Sequence, residues 1–381
     1  MKEIKSELTE ELTERLRESN PLIQIVQGPR QVGKTTALQQ FCNKFENKRE
    51  PHFVSADAIG SPLWIQEQWQ RARENQRILI IDEIQKVPDW SETVKKLWDE
   101  DKRKRNPMKC ILTGSSSLSL QRGLSESLTG RFEVIPAFHW DLIKSQRLYK
   151  MSLENYLIYG GYPGSYSFLK KPSRWADYLT HSIVETVISK DILFQSHVKS
   201  PALFRHAFYV LTSFPSQVVS LNKLLGQLQD KGNIDLVKYY IQLYEGAYFM
   251  KSIYKYSRNE LRKKNSSPKI VVMAPALSTF HRLGALSAED HGRIFESAVG
   301  AELIKRNLNP CYWADGDHEV DFVLELKKQI IAIEVKSGRS KKSKSLEVFL
   351  KKYPEAKIIF INKDNFFQFT KDPQLFLEIH S

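Results

Sequence analysis

Cysteine is scarce in this chain, and its three cysteines, Cys42, Cys110 and Cys311, stand apart with no C-x-x-C spacing. That excludes a disulfide framework and a cysteine-based zinc site, and it predicts buried thiols. Long apolar runs are also missing. No stretch approaches the roughly 20 residues that a bilayer-spanning helix needs, and the opening MKEIKSELTE is charged, without the apolar centre of a signal peptide. The expectation is a cytoplasmic protein with no membrane span. Acidic charge is in deficit: 57 Lys and Arg against 44 Asp and Glu give a formal charge of +13 over 381 residues. Such an excess points to an anionic partner, nucleic acid before membrane. The basic runs KRKR (residues 102–105), RKK (262–264) and RSKKSK (339–344) add little, because runs of this kind are commonly solvated loops. The length predicts two to three domains.

What is present is phosphate chemistry. GPRQVGKT (residues 28–35) fits G-x-x-x-x-G-K-[ST] without a mismatch and follows the apolar run LIQIV (22–26), as a phosphate-binding loop must follow its strand. Gly28 and Gly33 permit the tight turn, and the backbone of Pro29, Arg30, Gln31 and Val32 completes the cradle at the positive end of the next helix. Lys34 is expected to reach the β- and γ-phosphates and the Thr35 hydroxyl to meet Mg²⁺, while Thr36 continues the helix with no chemical role of its own. The second half of the site is ILIIDEIQKV (78–87), four aliphatic residues followed at once by two carboxylates. Such a run reads as a doubly buried parallel strand, and ligands of open α/β sheets bind at its C-terminal end. Asp82 is expected to hold the Mg²⁺ shell and Glu83 to orient or deprotonate the attacking water. ATP and Mg²⁺ are the implied cofactors, and the acidic pair favours hydrolysis over phosphotransfer.

The flanking pattern alternates strand and helix, which predicts an α/β sandwich around a parallel sheet. KCILT (109–113) runs into small polar residues, and Ser115 is the candidate for sensing the γ-phosphate; a plain turn is the competing reading. In LTGRF (128–132), Arg131 is a candidate arginine finger for the nucleotide of a neighbouring subunit in a homo-oligomer, against the alternative of a surface salt bridge. GGYPG (160–164) interrupts a helical stretch and reads as a structural turn. Farther on, three helices and two strands around the basic loop ELRKKNSS follow the order of a winged helix. In that reading Lys238, Tyr239, Arg262, Lys263 and Lys264 would meet phosphates, although winged helices in ATPases often pack only against protein.

The C-terminal third holds a second constellation. HEVDFVLELKKQIIAIEVKSG (318–338) reads as two half-buried strands joined by a Lys-rich turn, with Asp321 on the first and Glu334 and Lys336 on the second. Residues i and i+2 share a face, so Glu334 and Lys336 point together. Two carboxylates suit Mg²⁺, and the lysine could position or activate a water for attack on a phosphodiester. Glu296, in the helical stretch RIFESAVGAELIKR (293–306), is a further catalytic candidate for this cluster. An ion pair on a sheet edge is the bland alternative.

Taken in order, GPRQVGKTT, LIIDEIQKVPDW, LTGSSS, LTGR, GGYP, FES, EVDFV and IEVKSG resemble the prokaryotic AAA-type ATPases whose C-terminal half is the domain of unknown function 4143. The resemblance implies an AAA-like P-loop ATPase core over residues 1–145, a helical and winged-helix-like domain over 146–275, and a restriction-endonuclease-like α/β domain over 276–381. It implies the nuclease pattern D…E-x-K at Asp321, Glu334 and Lys336. In one respect the chain departs from typical AAA proteins: a second sensor arginine is absent. The resulting expectation is an ATPase coupled to a Mg²⁺-dependent nuclease acting on DNA. The alternative is a nucleotide-controlled switch whose nuclease-like domain is inactive and only binds DNA or a protein partner. A small-molecule kinase would leave the C-terminal half unexplained.

Overall fold

A computed structural model of the chain describes residues 7–18, 22–45, 50–57, 60–75, 78–104, 108–115, 127–227, 233–258, 266–336 and 344–381. The chain divides into two compact units, Met1–Phe138 with Ser189–Ser196, and His139–Ile188 with His197–Ser381.

In the first unit, short aliphatic runs became strands because both of their faces are covered. β1 (Ile23–Gly28) is buried along its whole length, and β3 (Ile78–Asp82) is buried from Leu79 onward. With β2 (His52–Ser55), β4 (Lys109–Ser115) and β5 (Phe132–Pro136) they form one parallel sheet in the order β2-β3-β4-β1-β5. β4 therefore lies between the strand that feeds the phosphate loop and the strand that ends in Asp82. Apolar residues from both sheet faces fill two cores. One gathers Ile23, Ile25, Leu79 and Ile81 with Trp69, Trp90 and Trp98 from the helices Pro62–Asn75 and Trp90–Arg103. The other takes Val26, Ile80 and Ile111 with Leu38 and Phe41, and is closed by Leu12 of the N-terminal helix Glu7–Arg15 and Leu16 just after it.

The second unit has two sheets. The helix Pro201–Ser213, the two-residue strand β6 (Gln217–Val218), the helices Leu221–Gln227 and Ile234–Gly246, and the strands β7 (Met250–Ile253) and β8 (Lys269–Val272) follow one another, and the antiparallel sheet runs β6-β8-β7. β6 has no counterpart in the expectation from sequence; two residues are too few to show an alternation. Arg262, Lys263 and Lys264 lie outside the described residues.

Next come the helix Ala288–Lys305, β9 (Cys311–Asp315), β10 (His318–Leu326), β11 (Gln329–Lys336), the helix Lys344–Lys352 and β12 (Lys357–Asn362). β9, β10 and β11 pair antiparallel and β12 joins β11 in parallel, giving the order β12-β11-β10-β9. The parts expected at 146–275 and 276–381 share one core, in which Tyr156, Val271 and Met273 pack with Phe295, Phe322 and Ile333. Gly300 explains how closely the long helix sits on this sheet. A Cβ there would come within 2.8 Å of the Phe322 ring and 3.2 Å of Val271.

Of the three cysteines expected to be buried, only Cys110 is; Cys42 and Cys311 are half-buried. Among the described residues no helix is long and apolar enough to cross a membrane.

Candidate functional sites

The phosphate loop is built by backbone that few residues tolerate. Gln31 has φ +61 and Gly33 has φ +94, so two left-handed residues turn the loop amides inward. At Gly28 the constraint is steric: a Cβ would stand 2.0 Å from the Ala137 carbonyl oxygen at the end of β5. The helix Lys34–Asn43 starts with no side-chain cap, which leaves its first amides for an anion. Lys34 is buried and its Nζ donates to the carbonyls of Gly28 (3.0 Å) and Pro29 (2.8 Å). Burial pushes its pKa down to about 8, against the opposing charges of Glu83 and Asp82.

Asp82 is the hub. Its Oδ2 accepts from the Thr35 hydroxyl at 2.7 Å and its Oδ1 accepts from the Thr113 hydroxyl. Thr35 and Asp82 thus stand as hard oxygen donors side by side, which fits Mg²⁺ held by one hydroxyl and one carboxylate with water and phosphate completing the shell. Glu83 follows in left-handed backbone (φ +56) and its Oε2 accepts from Gln85 Nε2 at 2.5 Å. Arg30 forms a fork with Asp191, Nε to Oδ2 and Nη2 to Oδ1 both at 2.6 Å, and this hydrogen bond raises the pKa of the guanidinium.

The remaining expectations in this unit fare differently. Ser115 ends β4 beside Gly28, so its backbone is at the nucleotide end of the sheet, while its side chain lies outside what is described. Thr113, two residues earlier and buried, is the β4 side chain that bonds Asp82; the sequence reading passed it over. Arg131 stands at the start of β5, the end of the sheet opposite the loop, and grips Asp99 with Nε at 2.9 Å and Nη2 at 3.0 Å. Thr36 is exposed.

In the second unit the structure brings Glu296, Asp321, Glu334 and Lys336 together around a pocket of about 310 Å³, which Glu289 and Arg293 also line. Asp321 sits one step beyond the last paired residues, Phe322 and Ile333, and its Oδ2 accepts from the Val335 amide at 2.7 Å. Lys336 Nζ meets Glu334 Oε1 at 2.5 Å, as two residues on one strand face should. Glu334 Oε2 is buried with no hydrogen-bond partner among the described residues. Burial raises the carboxyl pKa of Glu296, Asp321 and Glu334, and for Glu334 the charge of Asp321 adds to it.

Two members of this cluster were not foreseen. Lys269 is fully buried, with Nζ 2.6 Å from Glu296 Oε1 and 2.8 Å from Glu319 Oε1. Burial alone would lower its pKa, but Glu296, Asp321 and Glu319 outweigh it and raise it. Glu319 was legible, two residues before Asp321 on the same strand face. Lys269 was not, because nothing in KIVV says that its lysine turns inward. Among the described residues no three acidic, His or Cys side chains converge as a ready-made metal cage. Asp321 with the unpartnered Glu334 oxygen still fits Mg²⁺, which is commonly held by one or two carboxylates and keeps several waters.

Comparison with known proteins agrees with this layout. Family models match residues 20–156 as an AAA domain, residues 150–287 as a domain of unknown function 8612, and residues 291–380 as a domain of unknown function 4143. An uncharacterized protein of Methanocaldococcus jannaschii is 23% identical over 375 residues, covering 89% of this chain and 80% of its own length. An uncharacterized protein of Mycobacterium tuberculosis is 24% identical over 332 residues, 82% of this chain and 69% of its own. Among solved structures, a Walker-type ATPase of Pyrococcus abyssi superposes with TM-score 0.50 at 15% identity, covering 74% of this chain and 96% of that one, a likeness of fold.

Proposed function

Since the chain carries an AAA domain at residues 20–156 and a domain of unknown function 4143 at residues 291–380, we propose that it hydrolyses ATP and couples that reaction to Mg²⁺-dependent cleavage of DNA. The observation that carries the ATPase half is Asp82, joined to Thr35 and Thr113 at the end of β3, with Lys34 and Glu83 beside it. In the reaction Lys34 leaves the Gly28 and Pro29 carbonyls for the β- and γ-phosphates. Glu83 orients water in line with the γ-phosphate and receives its proton. When bound, Mg²⁺ supplies charge neutralisation and a more acidic water.

The cleavage half rests on Asp321, Glu334 and Lys336 around one pocket, with Arg293 at its edge to meet a phosphodiester. The order helix, three antiparallel strands, helix and a parallel strand supports the restriction-endonuclease-like reading of this domain. For the middle segment, the sequence helix, β6, helix, helix, β7, β8 with sheet order β6-β8-β7 supports the winged-helix reading, and the +13 charge supports DNA as partner. Lys238, exposed, and Tyr239, half-buried, both on the helix Ile234–Gly246, are the described residues among those that would meet phosphate in this reading. An arginine finger in a homo-oligomer requires Arg131 to release Asp99 for a neighbour's nucleotide.

The test is phosphate release from ATP with and without DNA. Lys34→Ala and Glu83→Gln should each lower the rate by roughly a hundredfold or more. Hydrolysis unchanged in both variants would overturn the ATPase assignment.

A further inference from the structure

Lys269 opens β8, and its ammonium is enclosed by oxygen. Nζ stands 2.6 Å from Glu296 Oε1, 2.8 Å from Glu319 Oε1 and 3.3 Å from the Asp321 carbonyl oxygen, with the Phe322 ring 5.4 Å away. These are the hard donors, drawn from the helix Ala288–Lys305 and from β10, that a second metal ion would otherwise collect. We infer that Lys269 is a built-in cation of the C-terminal acid site, so that the site takes one divalent ion, on Asp321 and Glu334, and not two.

The division of oxygens supports this. On one side Glu296 and Glu319 are committed to Lys269; on the other, Glu334 Oε1 is held by Lys336 and Asp321 Oδ2 by the Val335 amide. What faces the pocket without a lysine partner is the buried Glu334 Oε2 beside Asp321, whereas Glu296, which also lines the pocket, has its Oε1 2.6 Å from Lys269 Nζ. Charge agrees with geometry. Four carboxylates against the ammoniums of Lys269 and Lys336 leave two negative charges when all are ionised, which one divalent ion neutralises. Without Lys269 the half-buried Glu296 would face this site as an uncompensated charge, a costly arrangement. Glu296 accordingly becomes a positioning residue for Lys269 and not a metal ligand.

The inference rests on the reading of this site as a divalent-cation site, and its test separates the two. Mn²⁺ bound to the full chain without nucleotide is counted by electron paramagnetic resonance, as the difference from an Asp321→Asn chain, so that Mn²⁺ near Asp82 cancels. The wild-type difference is expected to be one ion per chain. Glu296→Gln is expected to keep that ion, and Lys269→Ala, which empties the oxygen cage, to raise the difference to two. A wild-type difference of two, loss of the ion in Glu296→Gln, or a count still at one in Lys269→Ala overturns the role of Lys269 alone. A difference of zero overturns the divalent-cation reading and this inference with it. The wild-type count stands even if Lys269→Ala or Glu296→Gln fails to fold.

Discussion

Lys34 is a buried ammonium bonded to two carbonyls of its own loop, and this has a measurable consequence. Its pKa is lowered to about 8 by burial, whereas a bound triphosphate favours the charged form. Between that value and the ordinary 10.5, ATP binding should therefore take up a proton, and affinity should fall by up to about tenfold per pH unit as pH rises. Calorimetry in buffers of different ionisation enthalpy checks this; Lys34→Met should lose both the proton uptake and this pH dependence. At this scale the sequence was legible wherever chemistry is local. Lys34, Thr35 and Asp82 follow from motif and strand context, and Glu334 with Lys336 follows from the period of a strand. Thr113 and Lys269 were hidden because each meets its carboxylate from a different strand, which only the fold specifies.

The strands and helices around both sites were largely readable, since aliphatic runs ending in Gly or Asp become parallel strands when both faces are covered. Less readable was the segment from Tyr178 to Leu193. It falls in the helical stretch that GGYPG interrupts, but it contains two π-helical stretches, Tyr178–Val184 and Val187–Leu193. Wide turns of this kind recur at functional sites. The second delivers Asp191 to Arg30, within the residues 189–196 that fold with the ATPase unit. An arginine of the phosphate loop itself is thus fastened to a helical segment. Asp191→Asn should destabilise this unit by about 2 kcal/mol, because it leaves a partly buried guanidinium without its carboxylate. ATP, by offering phosphate to Arg30, should restore more stability to the variant than to wild type. Denaturant unfolding with and without ATP measures both effects; equal stability of the two proteins would show that the pair holds nothing.

For the whole molecule, the ATPase and acid sites each occupy the C-terminal ends or one face of strands in separate compact units of one basic chain. The sequence marked both because each is a short motif on a strand, but it could not show that residues 146–275 and 276–381 share a core, since Tyr156 and Phe322 meet across more than 160 intervening residues. The central claim is that the two phosphate chemistries belong to one reaction cycle. Incubation of the purified chain with Mg²⁺ and single-stranded, linear and supercoiled DNA, with ATP or without nucleotide, tests it most directly. The account predicts cleavage that depends on ATP, lost in Lys336→Ala while ATP hydrolysis continues, and lost together with hydrolysis in Lys34→Ala. Intact DNA of every form, under conditions where the wild-type chain hydrolyses ATP, would contradict it.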